Sequence, residues 1–184
     1  VDRRQRQMCI RDRRQAADAA ANARATLETA VEALQDGFVL YDADDRLVIC
    51  NSRYREIYAL SADAMVPGTS FEAILRHGLA NGQYADAVGR EAAWLATRLA
   101  NHRLNSSETE QRLADGRWLR VFEKATPDGG RVGLRVDITA LKEAEQRAVA
   151  DRSTAMEASQ DGIAITDAQG LFLYMNQAHL AMLS

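Results

Sequence analysis

The chain has 184 residues, 47% of them hydrophobic, enough for one sizeable core and a little more but too few for two large domains. Its net charge of -3 hides an asymmetry, because Arg3, Arg4, Arg6, Arg11, Arg13 and Arg14 against Asp2 and Asp12 put +4 in residues 1–14 and leave -7 for the rest. A basic arm without interleaved aromatics, ahead of an acidic body that repels phosphate, argues against a nucleic-acid partner, and the apolar runs are far shorter than the roughly 20 residues of a membrane span.

Residues 1–14 read as a basic tail. They lack an initiator methionine, differ from the alanine-rich text that follows and resemble translated adapter sequence, so they are expected to be non-native and to carry no function. Residues 15–35 are expected to form a linker helix. Ala16, Ala20, Ala23, Leu27, Ala30 and Leu34 step by four and three in alternation, a seam of period 3.5 that suits either a parallel helix pair or an amphipathic linker folded onto its own domain. Gly37 is expected to end that helix with positive φ. A strand over residues 38–41, an acidic turn over 42–45, a second strand and a helix capped by Asn51 follow.

Helices are expected over residues 71–79 and 85–102, the second carrying an apolar stripe at Leu95 and Leu99 with Trp94 and Ala96 beside it. Strands over 108–113, 117–125 and 131–138 come next, joined at Asp115-Gly116 and Pro127-Asp128-Gly129-Gly130 by hairpin chemistry. The fold class is therefore α+β, a five-stranded antiparallel sheet over residues 36–138 with helices on one face. A connecting helix over 139–159 repeats the seam at Leu141, Ala144, Ala148, Asp151, Ala155 and Ala158, with an aspartate that would keep a helix pair marginal.

The text then repeats itself. Thr29-Ala30, Glu32-Ala33, Gln35-Asp36-Gly37, Asp42-Ala43 and Asn51 recur as Thr154-Ala155, Glu157-Ala158, Gln160-Asp161-Gly162, Asp167-Ala168 and Asn176, always 125 residues on. Residues 160–184 thus read as the truncated start of a second copy, expected to be loosely packed because the strands that would close its sheet are missing, and the chain as a piece of a longer protein.

This layout resembles PAS domains of bacterial signalling proteins, the subgroup found in sensor histidine kinases and diguanylate cyclases. The resemblance rests on Asp-Gly-Phe-Val-Leu-Tyr-Asp-Ala from Asp36, Asn-Ser-Arg-Tyr-Arg-Glu-Ile-Tyr from Asn51, Asp-Gly-Arg-Trp-Leu-Arg-Val from Asp115, and Val136-Asp137-Ile138-Thr139 before Leu141-Lys142-Glu143-Ala144-Glu145. It covers residues 27–145, and 152–184 for the second copy. It implies a cytoplasmic sensory module, homodimeric through the PAS domain and its linker helices, relaying a signal to an output domain in cis. A histidine kinase of a two-component system is the first expectation. A diguanylate cyclase, a ligand-free structural dimerisation module and a protein-recruiting adaptor are the rivals. Asp137 or Thr139 is expected to cap the outgoing helix and so couple sheet to helix as the relay residues.

Candidate chemistry is thin. His77, His102 and His179 stand apart, without zinc or catalytic spacing, and Cys9 and Cys50 form no metal or disulfide framework, which fits a reducing cytoplasm. No phosphate cradle, dinucleotide fingerprint, phosphoacceptor-histidine box, ATP lid or cyclase signature is present, so the fragment is expected to be no enzyme. By the resemblance, His77 follows a helix that flanks the PAS pocket, where haem-binding relatives place an axial ligand. Its surroundings, Ile74-Leu75-Arg76-His77-Gly78, fit that pattern poorly, and a histidine at a helix C-terminus is favoured by the macrodipole alone. Cys50 ends a strand rather than sitting in the helix of a flavin-adduct site, and reads as a buried small hydrophobe. Tyr41, Tyr58, Trp118 and Phe122, with His77, are the candidate lining of a pocket for a small molecule; the cofactor, if any, stays unknown.

Overall fold

The computed structural model describes residues 3–182, with side chains from residue 14 onward. It divides into two compact units, meeting in sequence between Asp137 and Ile138.

The first unit opens with α1, Arg3–Glu32, which begins well before the expected residue 15 and ends before residue 35. The helix thus runs through most of the basic stretch. Its seam residues from Ala16 to Ala30, and Leu34 beyond it, are all exposed, Leu27 at 65%, so the seam does not fold back onto its own domain. Strands β1 (Gly37–Tyr41) and β2 (Leu47–Cys50) form a hairpin, and α2 (Ser52–Ile57) follows. A 3-10 segment Ala59–Ala64, α3 (Phe71–Ala80), a 3-10 turn Ala85–Ala87 and α4 (Glu91–His102) lead to β3 (Ser106–Arg112), β4 (Trp118–Ala125) and β5 (Arg131–Asp137). The single helix expected over 85–102 is broken at Gly89, whose φ of 76° a right-handed helix cannot accommodate. Strand β3 starts two residues early and stops short of Leu113, which instead bridges to Tyr84.

All pairings are antiparallel, in the order β2-β1-β5-β4-β3. The hairpins legible in sequence account for three of these neighbours. The central β1–β5 pairing, with Val39 opposite Gly133, joins the two ends of the module. Side-chain parity then sorts the sheet into faces. Val39, Tyr41, Leu119, Val121, Glu123 and Arg135 point inward to the helices and are buried; Phe38, Leu40, Trp118, Phe122, Val132 and Leu134 point outward. The core packs Val39, Leu119 and Val121 against Ile57, Phe71, Ile74, Leu75 and Leu95.

Gly37 does not end a helix with positive φ. It is the first residue of β1, and its requirement is space: a Cβ there would lie 2.9 Å from Ile57 Cδ1, 3.1 Å from Arg135 Cβ and 3.3 Å from Tyr54 Cα.

The second unit holds α5 (Thr139–Ala158), the hairpin β6 (Ala164–Thr166) and β7 (Phe172–Met175), and α6 (Gln177–Met182). Its seam from Leu141 to Ala158 is exposed throughout. Among described residues 160–182 only Asn176 is buried, while Leu171, Phe172 and Leu173 are 52–67% exposed. A hairpin and one short helix offer no second layer to cover them.

Candidate functional site

Asn51 shows why the repeated text repeats. Its side-chain oxygen accepts from Tyr54 N and from Phe38 N, both at 2.9 Å, and its Nδ2 donates to Val31 O at 3.2 Å and Asp36 O at 2.9 Å. One fully buried amide thus caps α2 as expected and also fastens the end of α1 and the start of β1. In the second unit Asn176 does the same with Ile163 N, His179 N, Met156 O and Asp161 O, each partner 125 residues on. Asp42 and Asp167 form a second matched pair, each accepting in its hairpin turn from the amides two and four residues ahead.

The interior carries a charged cluster that the sequence reading passed over. On α4, Leu95, Arg98 and His102 share one face by their steps of three and four, so the buried stripe continues through two polar side chains instead of Ala96, which is exposed. On β4, Glu123 continues the inward series of Leu119 and Val121. Its carboxylate accepts from Arg98 Nη1 and Nη2 at 2.9 and 2.5 Å, from Arg135 Nη2 at 2.7 Å, and pairs with His102 Nδ1 at 2.9 Å. Arg135 Nε donates to the Tyr58 hydroxyl at 3.1 Å, which donates in turn to Gln111 Oε1 at 2.8 Å. The cluster ties α4, β3, β4, β5 and the residue after α2 into one network. Gly133 makes room for it, since a Cβ there would stand 2.8 Å from Arg135 Nη1.

Aromatic rings wall the cluster. Phe71 stacks on the His102 ring at 3.7 Å and lies under the Arg98 guanidinium at 4.9 Å; Tyr54 lies under Arg135 at 5.5 Å. Burial alone would push the Glu123 carboxyl up, but the Arg135 charge, the His102 hydrogen bond and Arg98 outweigh it and hold the group far below the usual carboxylate range. Burial pushes the Tyr54 hydroxyl up to about 12 and raises Tyr41 as well. His102 Nε2 has no hydrogen-bond partner and sits 3.4 Å from the carboxylate of Asp45, a residue held at φ 56° in the β1–β2 turn.

The expected pocket residues do not come together. Tyr41 is interior, edge-on to Phe71 and His102. His77 is exposed on the last turn of α3. Trp118 and Phe122 lie on the opposite face of the sheet, because Leu119 and Val121 take the inward parity of β4; Trp118 there lies 5.8 Å from the Arg112 guanidinium, and Phe122 lines an open apolar concavity with Leu34, Phe38, Val132 and Leu134. Inside, beside Tyr54, Tyr58, Tyr84, Arg98 and Arg135, the void is about 10 Å³, the room of one water. A haem does not fit these residues: the histidine proposed for it faces solvent, and side chains fill the space. Cys50 is buried as expected, and burial raises its thiol. Among the described residues no cluster of metal-binding side chains occurs and no helix is long and apolar enough to cross a membrane.

The residues expected to cap the outgoing helix flank its N-cap position. Ile138 occupies the N-cap position of α5 and makes no side-chain cap; Asp137 is the last residue of β5 and Thr139 the first of the helix, so each misses the position by one. Neither residue is without a partner.

A family model described as "PAS fold" matches residues 31–146, and one described as "PAS domain" matches residues 153–184. The non-motile and phage-resistance protein of Caulobacter vibrioides is 31% identical over 122 residues, 65% of this chain but only 13% of that protein. Among solved structures, the PAS domain of an HTR-like protein from Haloarcula marismortui is 16% identical, covering 68% of this chain and 99% of that one with a TM-score of 0.45. The PAS domain of Bordetella pertussis BvgS is 18% identical, covering 72% and 98% with a TM-score of 0.44. With the family model spanning the whole five-stranded module, the chain belongs to the PAS family.

Proposed function

We propose that the chain is a homodimeric, cytoplasmic PAS relay that passes a change of state in its first module, by way of α5, to a histidine kinase core in cis, with a diguanylate cyclase as the alternative output. The observation that carries this reading is the buried network centred on Glu123. It joins the helical layer, through Arg98 and His102, to Arg135 on the strand that ends two residues before α5 begins. Buried ionic networks hold the elements they join in register, because breaking an ion pair strands a charge. A joint of this kind moves as a unit, so a signal that favours a second arrangement has to shift α4 and β5 together.

Dimerisation is supported by the exposed seam of α1 and by the outer sheet face, where Leu34, Phe38, Phe122, Val132 and Leu134 line a concavity of about 750 Å³. A structural dimerisation module without a ligand is the second reading, favoured by the filled interior. Joining the full chain upstream of a histidine-kinase catalytic core and measuring autophosphorylation separates the two. The relay predicts that Tyr58→Phe, which removes the two hydrogen bonds bridging Arg135 to Gln111 while keeping every ion pair, resets kinase activity; a folded variant dimer with unchanged activity leaves the structural reading.

A further inference from the structure

The charged interior opens toward the surface between α4 and β3. There a cleft of about 260 Å³ is lined by Arg98 and Gln111, which also line the interior void, and by Trp94, Thr97, Asn101 and Thr109. That is just under the roughly 300–1,000 Å³ of sites for drug-sized ligands, so it suits a small molecule.

Two buried donors face this cleft with hydrogens to spare. Arg98 has five N–H donors, and Glu123 is the sole described acceptor, reached from Nη1 and Nη2. Gln111 is oriented by its neighbour: the Tyr58 oxygen accepts from Arg135, so the Tyr58 proton goes to Gln111 Oε1, and no described group accepts from the amide NH2. Arg98 is 8% exposed and Gln111 6%. The charge is unbalanced as well. Among the described residues Glu123 is the one carboxylate paired with Arg98 and Arg135, both buried, so the pair of guanidinia keeps an excess of +1 even with His102 neutral. Asp45 reaches only His102 and is half-exposed. Burying an excess positive charge is costly, and an anion at the mouth of the cluster offsets that cost.

We infer that the cleft between α4 and β3 binds a small carboxylate, held by the outward N–H groups of Arg98 and the amide of Gln111, with its organic part against Trp94. This deepens the relay reading and rests on it for its consequence. From Arg98 through Glu123, and from Gln111 through Tyr58, both contacts lead to Arg135 on β5, so one ligand addresses the strand by two routes. Asp86 and Glu110 stand on the cleft rim, Asp86 receiving the Arg112 amide and Glu110 paired with Arg120, and they select against bulky polyanions.

The test is titration of the full 184-residue chain with sodium propionate and sodium succinate, against propionamide and sodium chloride at matched ionic strength, followed by NMR and thermal unfolding. Expected are saturable shifts of the Trp94 indole and Gln111 side-chain amide with a Kd of about 1 mM or tighter for a carboxylate, and none for propionamide or chloride. Asn101→Asp, which puts a negative charge in the cleft without touching the cluster, should weaken binding at least about tenfold while leaving the unfolding temperature of the free chain unchanged; Arg98→Lys supplies a second variant if it folds. Equal responses to chloride, an unaltered affinity in Asn101→Asp, or no saturation by either carboxylate would overturn the assignment. A different species found bound by native mass spectrometry, with the cleft silent, overturns it and leaves the relay standing. Carboxylate binding without any change in the exchange of β5 amides supports the site and removes the relay.

Discussion

Replacing Glu123 by glutamine probes the structure hardest. The side chains of Glu123 and Arg135 are each 1% exposed and that of Arg98 is 9%, so solvent screens none of the three effectively. The Glu123→Gln side chain keeps the size of the original and two hydrogen-bonding atoms but loses the charge, leaving two guanidinia without compensation. Breaking a buried pair in this way costs about 3–5 kcal/mol, a large share of the roughly 5–15 kcal/mol that holds a domain together. The triple change Arg98→Met, Glu123→Leu, Arg135→Met removes all three of these charges at once and should be less destabilising than Glu123→Gln alone, since desolvation and attraction vanish together. Urea unfolding followed by tyrosine and tryptophan fluorescence measures both. A Glu123→Gln variant within about 0.5 kcal/mol of the parent, the scatter of ordinary surface changes, would refute the network's role, as would a triple variant destabilised by the sum of its parts.

Because the folded-state pKa of Glu123 is depressed, the stability it contributes is present above the unfolded carboxylate value of about 4.3 and is lost as pH falls below it toward the folded value; unfolding free energies between about pH 7 and pH 3 should decline in the parent and decline less in the triple variant. Asn51→Ala removes four hydrogen bonds at once and should cost about 2 kcal/mol or more, measured by urea unfolding, whereas Asn176→Ala should leave that transition in place and raise amide exchange only over residues 156–182. Gly37→Ala drives a methyl against the backbone of Tyr54 and should cost about 1–3 kcal/mol in the same assay. Leu27→Glu on the exposed seam should shift sedimentation toward monomer without changing thermal stability of the module.

How much of this was legible depends on which rule a residue obeys. Asn51 and Asn176 announced themselves through repetition, and their role as caps followed from type and place. The turns at Asp42, Asp115 and Pro127 set the three hairpins. What stayed hidden was the pairing of β1 with β5, a long-range contact that no local pattern encodes, and the charged interior. Arg98, His102, Glu123 and Arg135 look like surface residues by type, yet the step from Leu95 to Arg98 and His102, and the alternation Leu119, Val121, Glu123, already placed three of them inward. The same alternation placed Trp118 and Phe122 outward, against the aromatic preference that suggested a pocket. His77 failed for a related reason: Ile74, Leu75 and Gly78 fill the buried side of α3, leaving position 77 to solvent.

The most direct test of the relay is backbone amide exchange of the 184-residue chain and its Tyr58→Phe variant, compared residue by residue. The account predicts altered protection at Gln111, along β5 at 131–137 and onward into α5 at 139–158. Changes confined to residues 54–58 and 111, with β5 and α5 untouched, would contradict it.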